Sequence, residues 1–229
     1  MPAPLSVIMP TLNAAECLPA AAAALGEGLT SGLVADLVVS DGGSTEATLE
    51  IASALGATIV TGPPSRGGQL RRGVAEARGE WLLLLHPDTI LSDGWSEAVR
   101  DHIAEHPGRA GFFRLAFRAR GFGPAAVAGW INLRSLLFRL PCGAQGLLVS
   151  RAVLEAAGGV PDITLMEDVA LARALGGRLR SLPATARVSA ARYEREGWLR
   201  RSFTNGIAFA RYHAGTPPKR LARGPRTGD

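Results

Sequence analysis

The chain has 229 residues, 47% of them hydrophobic, with a mean hydropathy of +0.13 and a formal net charge of +5. That length buries a sizeable core and that composition excludes an intrinsically disordered chain, so one compact enzyme-sized unit is expected. Two cysteines, Cys17 and Cys142, are too few for a disulfide framework and lack a C-x-x-C spacing, which points to a reducing, cytoplasmic setting. The start, MPAPLSVIMP, carries no basic stretch ahead of a long apolar run, so no signal peptide is expected. The runs Ala20–Leu25 and Trp81–Leu85 are too short to span a bilayer. Residues 187–229 hold ten basic side chains against three acidic ones, a net of +7 that leaves −2 for the rest. A basic end of this kind suits an anionic membrane surface, a nucleic acid or a pyrophosphate, or forms a solvated face.

The first hundred residues alternate in the βα manner. Leu5–Met9 reads as a strand and the Ala-rich Ala14–Leu25 as a helix; Leu37–Val39, preceded by Asp36, is a second strand. Thr45–Leu55 follows as a helix with Ser44 or Thr45 as N-cap and Gly56 as its stop. Ala57–Thr61 is a third strand, Gln69–Ala77 a helix, Trp81–Leu85 a fourth and wholly apolar strand, and Gly94–His106 a helix ended by Pro107. This spacing predicts parallel pairing with right-handed crossovers. Beyond Pro107 the pattern loosens: a strand over Ala110–Ala119, an apolar helical stretch over Pro124–Phe138, and a short strand over Gly146–Ser150. Helices are then expected over Arg151–Ala157, Glu167–Leu175 and Trp198–Tyr212, with strands at Arg178–Leu182 and Ala186–Ala190. From Thr216 the chain reads as a loosely ordered basic tail.

Polar clusters sit just past the first four strands: Thr11-Leu12-Asn13, Ser40-Asp41-Gly42-Gly43, Thr61-Gly62 and His86-Pro87-Asp88. In an open parallel sheet these strand ends share one edge, the edge where ligands bind. Neither G-x-G-x-x-G nor a P-loop is present. Asp41 either accepts hydrogen bonds from a nucleotide or makes an ordinary Asp-Gly turn. Asp88, past a buried strand, either holds a hard divalent cation against a diphosphate or serves a turn after Pro87.

The ordered segments Leu5-Ser6-Val7-Ile8-Met9-Pro10-Thr11-Leu12-Asn13, Val38-Val39-Ser40-Asp41-Gly42-Gly43-Ser44-Thr45, Gly79-Glu80-Trp81-Leu82-Leu83-Leu84-Leu85-His86-Pro87-Asp88-Thr89 and Met166-Glu167-Asp168-Val169-Ala170-Leu171 resemble the motifs of family 2 glycosyltransferases. The resemblance covers about residues 4–215 and is nearest to small bacterial members. It implies an α/β, GT-A Rossmann-like fold, with a mostly parallel central sheet and helices on both faces. Residues 1–215 would form one domain, with a nucleotide-binding half to about 107, an acceptor-side half over 108–215, and a basic tail over 216–229. The implied reaction transfers a sugar from a nucleotide-diphospho-sugar to an acceptor hydroxyl, with inversion and with a divalent cation, Mn²⁺ or Mg²⁺. Pro10, Thr11 and Asn13 match the first nucleotide-contacting loop, and Asp41, followed by Gly43, matches the carboxylate that contacts the base. Arg66 and Gln69 match a segment lining the nucleotide pocket. His86, Pro87 and Asp88 match the D-x-D stretch, with Asp88 as the metal ligand. Asp168 matches the catalytic base, with Glu167 in reserve.

Two departures from the family pattern stand out. His86 replaces the first Asp of D-x-D, which removes one metal carboxylate but leaves a side chain able to ligate through a neutral nitrogen. Ala144, in Cys142-Gly143-Ala144-Gln145-Gly146, occupies a position that is often acidic in relatives. A sugar-phosphate nucleotidyltransferase and a non-catalytic nucleotide-binding or membrane-surface domain are the alternative functions. No nucleic-acid partner is expected. In the helix Trp198–Tyr212, Leu199, Phe203, Ile207 and Ala210 form one apolar stripe with Arg200, Arg201 and Arg211 near it. That stripe either caps the core or meets an anionic membrane, on whose inner face a lipid-linked acceptor would be presented.

Overall fold

The computed structural model describes residues 4–217, so the basic tail from 218 onward lies outside the described residues. Eight strands form one sheet: β1 (Leu5–Thr11), β2 (Val34–Asp41), β3 (Thr58–Thr61), β4 (Trp81–Leu84), β5 (Ile90–Leu91), β6 (Ala110–Phe117), β7 (Leu147–Ser150) and β8 (Leu179–Val188). Their order is β3-β2-β1-β4-β7-β6-β8-β5. The block β3-β2-β1-β4 is parallel throughout, and β6 pairs parallel with β8. β7 runs antiparallel between β4 and β6, and β5 antiparallel to β8.

The helices are α1 (Leu18–Ala24), α2 (Gly26–Thr30), α3 (Thr48–Ala54), α4 (Arg66–Glu76), α5 (Trp95–Glu105), α6 (Phe122–Phe138), α7 (Arg151–Ala156), α8 (Glu167–Leu175), α9 (Ala191–Glu196) and α10 (Trp198–His213). Period-two alternation sorts the strand residues onto two faces. Leu5, Val7, Met9 and Phe113 pack with α1, α3 and α5, including the buried Trp95. Ile8, Leu82, Leu84 and Phe112 pack with α4, α7 and α8. Helices therefore cover both faces, and the polar strand ends are left at one edge.

Several boundaries differ from expectation for local reasons. The first helix starts at Leu18 rather than Ala14, because Pro19 lacks an N–H and is tolerated only in the first turn. The helix expected from Thr45 is α3, which starts at Thr48 with Ala47 as an N-cap that makes no side-chain hydrogen bond, since Ser44 and Thr45 are engaged by the neighbouring loop. The two strands expected at 178–182 and 186–190 are one strand, β8. The β6–β8 register shifts between Phe112 and Arg114, and the exposed Pro183 sits in that irregularity, where a missing N–H costs no ladder bond.

Candidate active site

The in-register pair Thr11 and Asp41 ends β1 and β2. Asp41 is fully buried and acts as a hub: Thr11 Oγ1 (2.9 Å) and Ser44 Oγ (2.5 Å) donate to its Oδ1, and the amides of Gly43 (2.7 Å) and Ser44 (2.7 Å) donate to its Oδ2. A carboxylate offers about four lone-pair sites, and all four are taken. Burial pushes the Asp41 carboxyl up, but the hydrogen bonds from Ser44, Gly43 and Thr11 outweigh it and hold the group below its ordinary value. A nucleotide base would reach this carboxylate only by displacing one of its own loop's donors. Asn13, at φ 51°, receives the Thr45 amide on Oδ1 (3.0 Å) and donates its own amide to Ser44 Oγ (2.8 Å). The two loops are thereby knit into one rim.

α4 sets the next wall. Ser65 caps it by accepting from the Gly68 amide. Gln69 is buried, and its Nε2 donates to the carbonyls of Thr11 (2.6 Å) and Ser40 (3.0 Å), so it braces the backbone of both rim loops. Arg72, three residues on and not singled out from the sequence, donates to the Pro63 carbonyl (3.1 Å) and approaches that of Asp41 (3.4 Å). The i, i+3 spacing from Gln69 is the signal that would have found it. A Cβ on Gly67 would lie 2.1 Å from the Pro161 carbonyl oxygen, so glycine there lets the helix start press against residues 161–163. That contact fixes the exposed Arg66 at the pocket side, where its charge acts on both His86 and Glu167.

The pocket lies between Pro10, Leu70, Leu85 and Leu171 on its apolar walls, with His86, Gly143, Glu167 and Asp168 as its polar corner. Met166, at φ 67°, delivers the two acids into the first turn of α8, where the helix dipole favours negative charge. Asp168 accepts the Gly143 amide on Oδ2 (2.7 Å) and the Val169 amide on Oδ1 (2.8 Å). Glu167 is only 3% exposed, and its Oε2 has no hydrogen-bond partner among the described residues. Burial first, and then the charge of Asp168, push the Glu167 carboxyl up to about 7 against the pull of Arg66. Burial and Arg66 push His86 down, against Asp88 and Asp168, which keeps its imidazole neutral. A Cβ on Gly143 would stand 3.1 Å from His86 Nε2 and 3.6 Å from Asp168 Oδ2, so these groups converge on a loop with no side chain to part them. Asn13, Arg139 and Met166, the non-glycine residues at positive φ among the described residues, all lie on segments that lead into this site.

Pro87 is buried and Asp88 partly exposed. No hydrogen bond or ion pair among the described residues reaches the Asp88 carboxylate; only its backbone carbonyl is contacted, by Arg118 (3.4 Å). No three His, Cys, Asp or Glu side chains among the described residues are gathered to hold a metal. This donor set does not build an all-protein cage. One free carboxylate beside a neutral imidazole does fit a cation that arrives with its own phosphate oxygens, as Mg²⁺ commonly does.

Residues 6–124 match the family model described as glycosyl transferase family 2. Curated relatives named PGL/p-HBAD biosynthesis glycosyltransferase, from Mycobacterium bovis and Mycobacterium tuberculosis, are 32% identical over 168 residues, covering 69% of this chain and 64% of each relative. The chain therefore spans about two thirds of the length of these relatives, a little less than that fraction. Among solved structures, Staphylococcus aureus TarS 1-349 in complex with UDP-GlcNAc superposes with a TM-score of 0.61 at 17% identity, covering 81% of this chain and 58% of that one. Glucosyl-3-phosphoglycerate synthase from M. tuberculosis, in complex with Mn²⁺ and UDP-glucose, gives a TM-score of 0.53 at 20% identity over 81% of this chain and 69% of that one. The fold is thus the α/β GT-A arrangement of nucleotide-sugar transferases. The chain belongs to glycosyl transferase family 2.

Proposed function

We propose that this chain moves a sugar from a nucleotide-diphospho-sugar to an acceptor hydroxyl, with inversion at the anomeric carbon. The carrying observation is the convergence of His86, Glu167 and Asp168 on one polar corner of an apolar-walled pocket at the strand-end edge, with His86 two residues in sequence from Asp88, whose carboxylate is unpaired among the described residues. Thr11, Asn13 and the 41–45 loop form the rim for the nucleoside, with Gln69 holding that rim in shape. Arg66 supplies positive charge toward the diphosphate.

A divalent cation, Mn²⁺ or Mg²⁺, held by Asp88 beside the neutral His86 would neutralise the charge that builds on the leaving diphosphate. Asp168 takes the acceptor's proton. Its carboxylate is aimed by the Gly143 and Val169 amides, and each oxygen keeps a free lone pair. As the proton leaves, the acceptor oxygen bonds to the anomeric carbon from the side opposite the diphosphate, and the carbon–oxygen bond to the phosphate breaks with its electron pair. Glu167, the buried neighbour of Asp168 in the pocket lining, is the reserve base. The free thiols of Cys17 and Cys142 support a reducing, cytoplasmic setting.

The test is incubation of the protein with a panel of UDP-, GDP-, CDP- and dTDP-sugars with Mn²⁺ or Mg²⁺, following the phosphate product. Release of a nucleoside diphosphate from at least one donor is expected. Conversion of a donor, with inorganic pyrophosphate added, to a nucleoside triphosphate and a sugar 1-phosphate would instead make the chain a nucleotidyltransferase, and no turnover of any donor would remove the catalytic assignment.

A further inference from the structure

α10 does not use its apolar stripe to hold itself to the protein. It is anchored at its start by Trp198, which stacks on Tyr193 and meets Phe117 edge-on, both with ring centroids at 4.9 Å. Further along, Arg134 of α6 lies over the Phe209 ring at 5.1 Å. Gly123 of α6 faces Trp198 just as Arg134 faces Phe209, so the two helices run side by side in the same direction. The stripe Leu199, Phe203 and Ile207 is left facing outward, with Leu199 89% and Phe203 72% exposed. α6 adds Trp130, Leu133 and Leu137 at helical spacing, and Phe138 at its end, all exposed. Singly exposed apolar residues are ordinary, but a double row along two adjacent helices is not.

We propose that the outward faces of α6 and α10 together seat this protein on the surface of an anionic bilayer. Charge selects that occupant. Residues 122–138 and 198–213 contain no Asp or Glu, whereas Arg134, Arg200, Arg201 and Arg211 lie on them. Arg201 is paired with Glu196, but Arg200 and Arg211 are exposed beside the stripe. A second copy docked on this face would bring like charges together with no acid on either helix to answer them. An anionic leaflet offers acyl chains to the stripe and phosphates to the arginines. No described helix is long and apolar enough to cross a membrane, so the pair lies along the interface. The surface also leads into the pocket: α6 ends at Phe138, and the chain turns at Arg139, in the left-handed conformation, toward Pro141, Cys142 and Gly143 of the pocket lining. An apolar acceptor held in the leaflet would thus approach beside Asp168.

The measurement is co-sedimentation of the whole chain with vesicles of phosphatidylcholine alone or mixed with phosphatidylglycerol, at low and high salt. It needs neither donor nor acceptor, so its outcome is separate from that of the catalytic test. Binding to the anionic vesicles, weakened by salt, is expected. The double substitution Leu199→Ser with Phe203→Ser should lower the bound fraction at least about tenfold, with the melting temperature unchanged because both side chains are exposed. Brominated lipid should quench Trp fluorescence, and Trp130→Phe should remove part of that quenching. No binding to anionic vesicles at low salt, or binding that both substitutions leave untouched, would overturn the proposal. So would a wild-type dimer in sedimentation velocity that the same substitutions dissociate.

Discussion

Asp41 is the residue on which the nucleotide-binding and structural roles can be separated most sharply. Its carboxylate holds four donors from Thr11, Gly43 and Ser44, which tie the end of β1 to the loop after β2. Hydrogen bonds to a charged group contribute roughly 1.5–3 kcal/mol each. In Asp41→Ala the two hydroxyls can turn elsewhere and water can reach the partly exposed Ser44 and the exposed Gly43. The net loss is therefore about 3 kcal/mol rather than the full sum. Asp41→Asn keeps the shape and one acceptor oxygen and should cost about 1 kcal/mol. For a chain of this size each kcal/mol moves the melting temperature by about 2–4 °C, so alanine should lower it by about 6–12 °C and asparagine by a third of that. The sign with pH follows from a folded-state value held below the ordinary one. The stabilisation is complete above about pH 4 and is lost as pH falls through the lowered folded value, so the gap between wild type and alanine should narrow in acid. The assay is thermal unfolding of the three proteins at neutral and acid pH, with calorimetric titration of UDP at a temperature where all are folded. An Asp41→Ala protein that melts with wild type and loses only nucleotide affinity would refute the hub and restore Asp41 as a direct ligand of the base.

Asp168→Asn should lower turnover by at least about 10²-fold with little change in donor affinity, and Glu167→Gln should cost less; the reverse order in steady-state kinetics would move the base role to Glu167. Because the Glu167 carboxyl is raised to about 7 in the folded protein, its buried charge destabilises the fold increasingly as pH rises from the ordinary glutamate value to about 7. Glu167→Gln should therefore melt higher than wild type at pH 8 and converge with it toward pH 4, as differential scanning calorimetry would show. Asp88→Asn should abolish the part of nucleotide affinity that depends on Mn²⁺ while leaving the melting temperature of the free protein unchanged, since no described side chain leans on that carboxylate. Unaltered metal-dependent affinity in calorimetry would remove Asp88 from the site.

The parallel half of the sheet was readable because each of its strands is a short apolar run followed by a turn signal, and the helix Glu167–Leu175 even keeps its expected ends. Elements that owe their existence to partners far away in sequence were not readable. The two-residue β5 is a strand only because β8 lies beside it, and β8 is continuous only because β6 spans the irregularity at Pro183. The site divides in the same way. That Asp41 and Asp88 would share one edge follows from topology alone, whereas the 167–168 pair joins them in the sequence reading only through the family resemblance. That Asp41 spends its carboxylate on Thr11 and Ser44, that the Ala14 amide is taken by Thr48 Oγ1 (2.8 Å), and that Glu167 rather than Asp168 is the buried acid depend on side chains about 30 residues apart or on a helix start set by one left-handed methionine.

α10 shows the limit of periodicity most plainly. A 3.6-residue pattern identifies which side chains share a stripe, and in a water-soluble helix that stripe ordinarily faces the core. Here Leu199, Phe203 and Ile207 do form the stripe, yet the inward contacts are made by Trp198 and Phe209 from another side of the same helix. A stripe can be turned outward without penalty only if its outer surroundings are themselves apolar, because exposing large side chains to water forfeits about 1.5–3 kcal/mol apiece. On the proposed membrane seat the pattern would record two apolar environments on one helix, a core on one side and acyl chains on the other, and the exposed Arg200 and Arg211 beside the stripe match the anionic charge proposed for that surface.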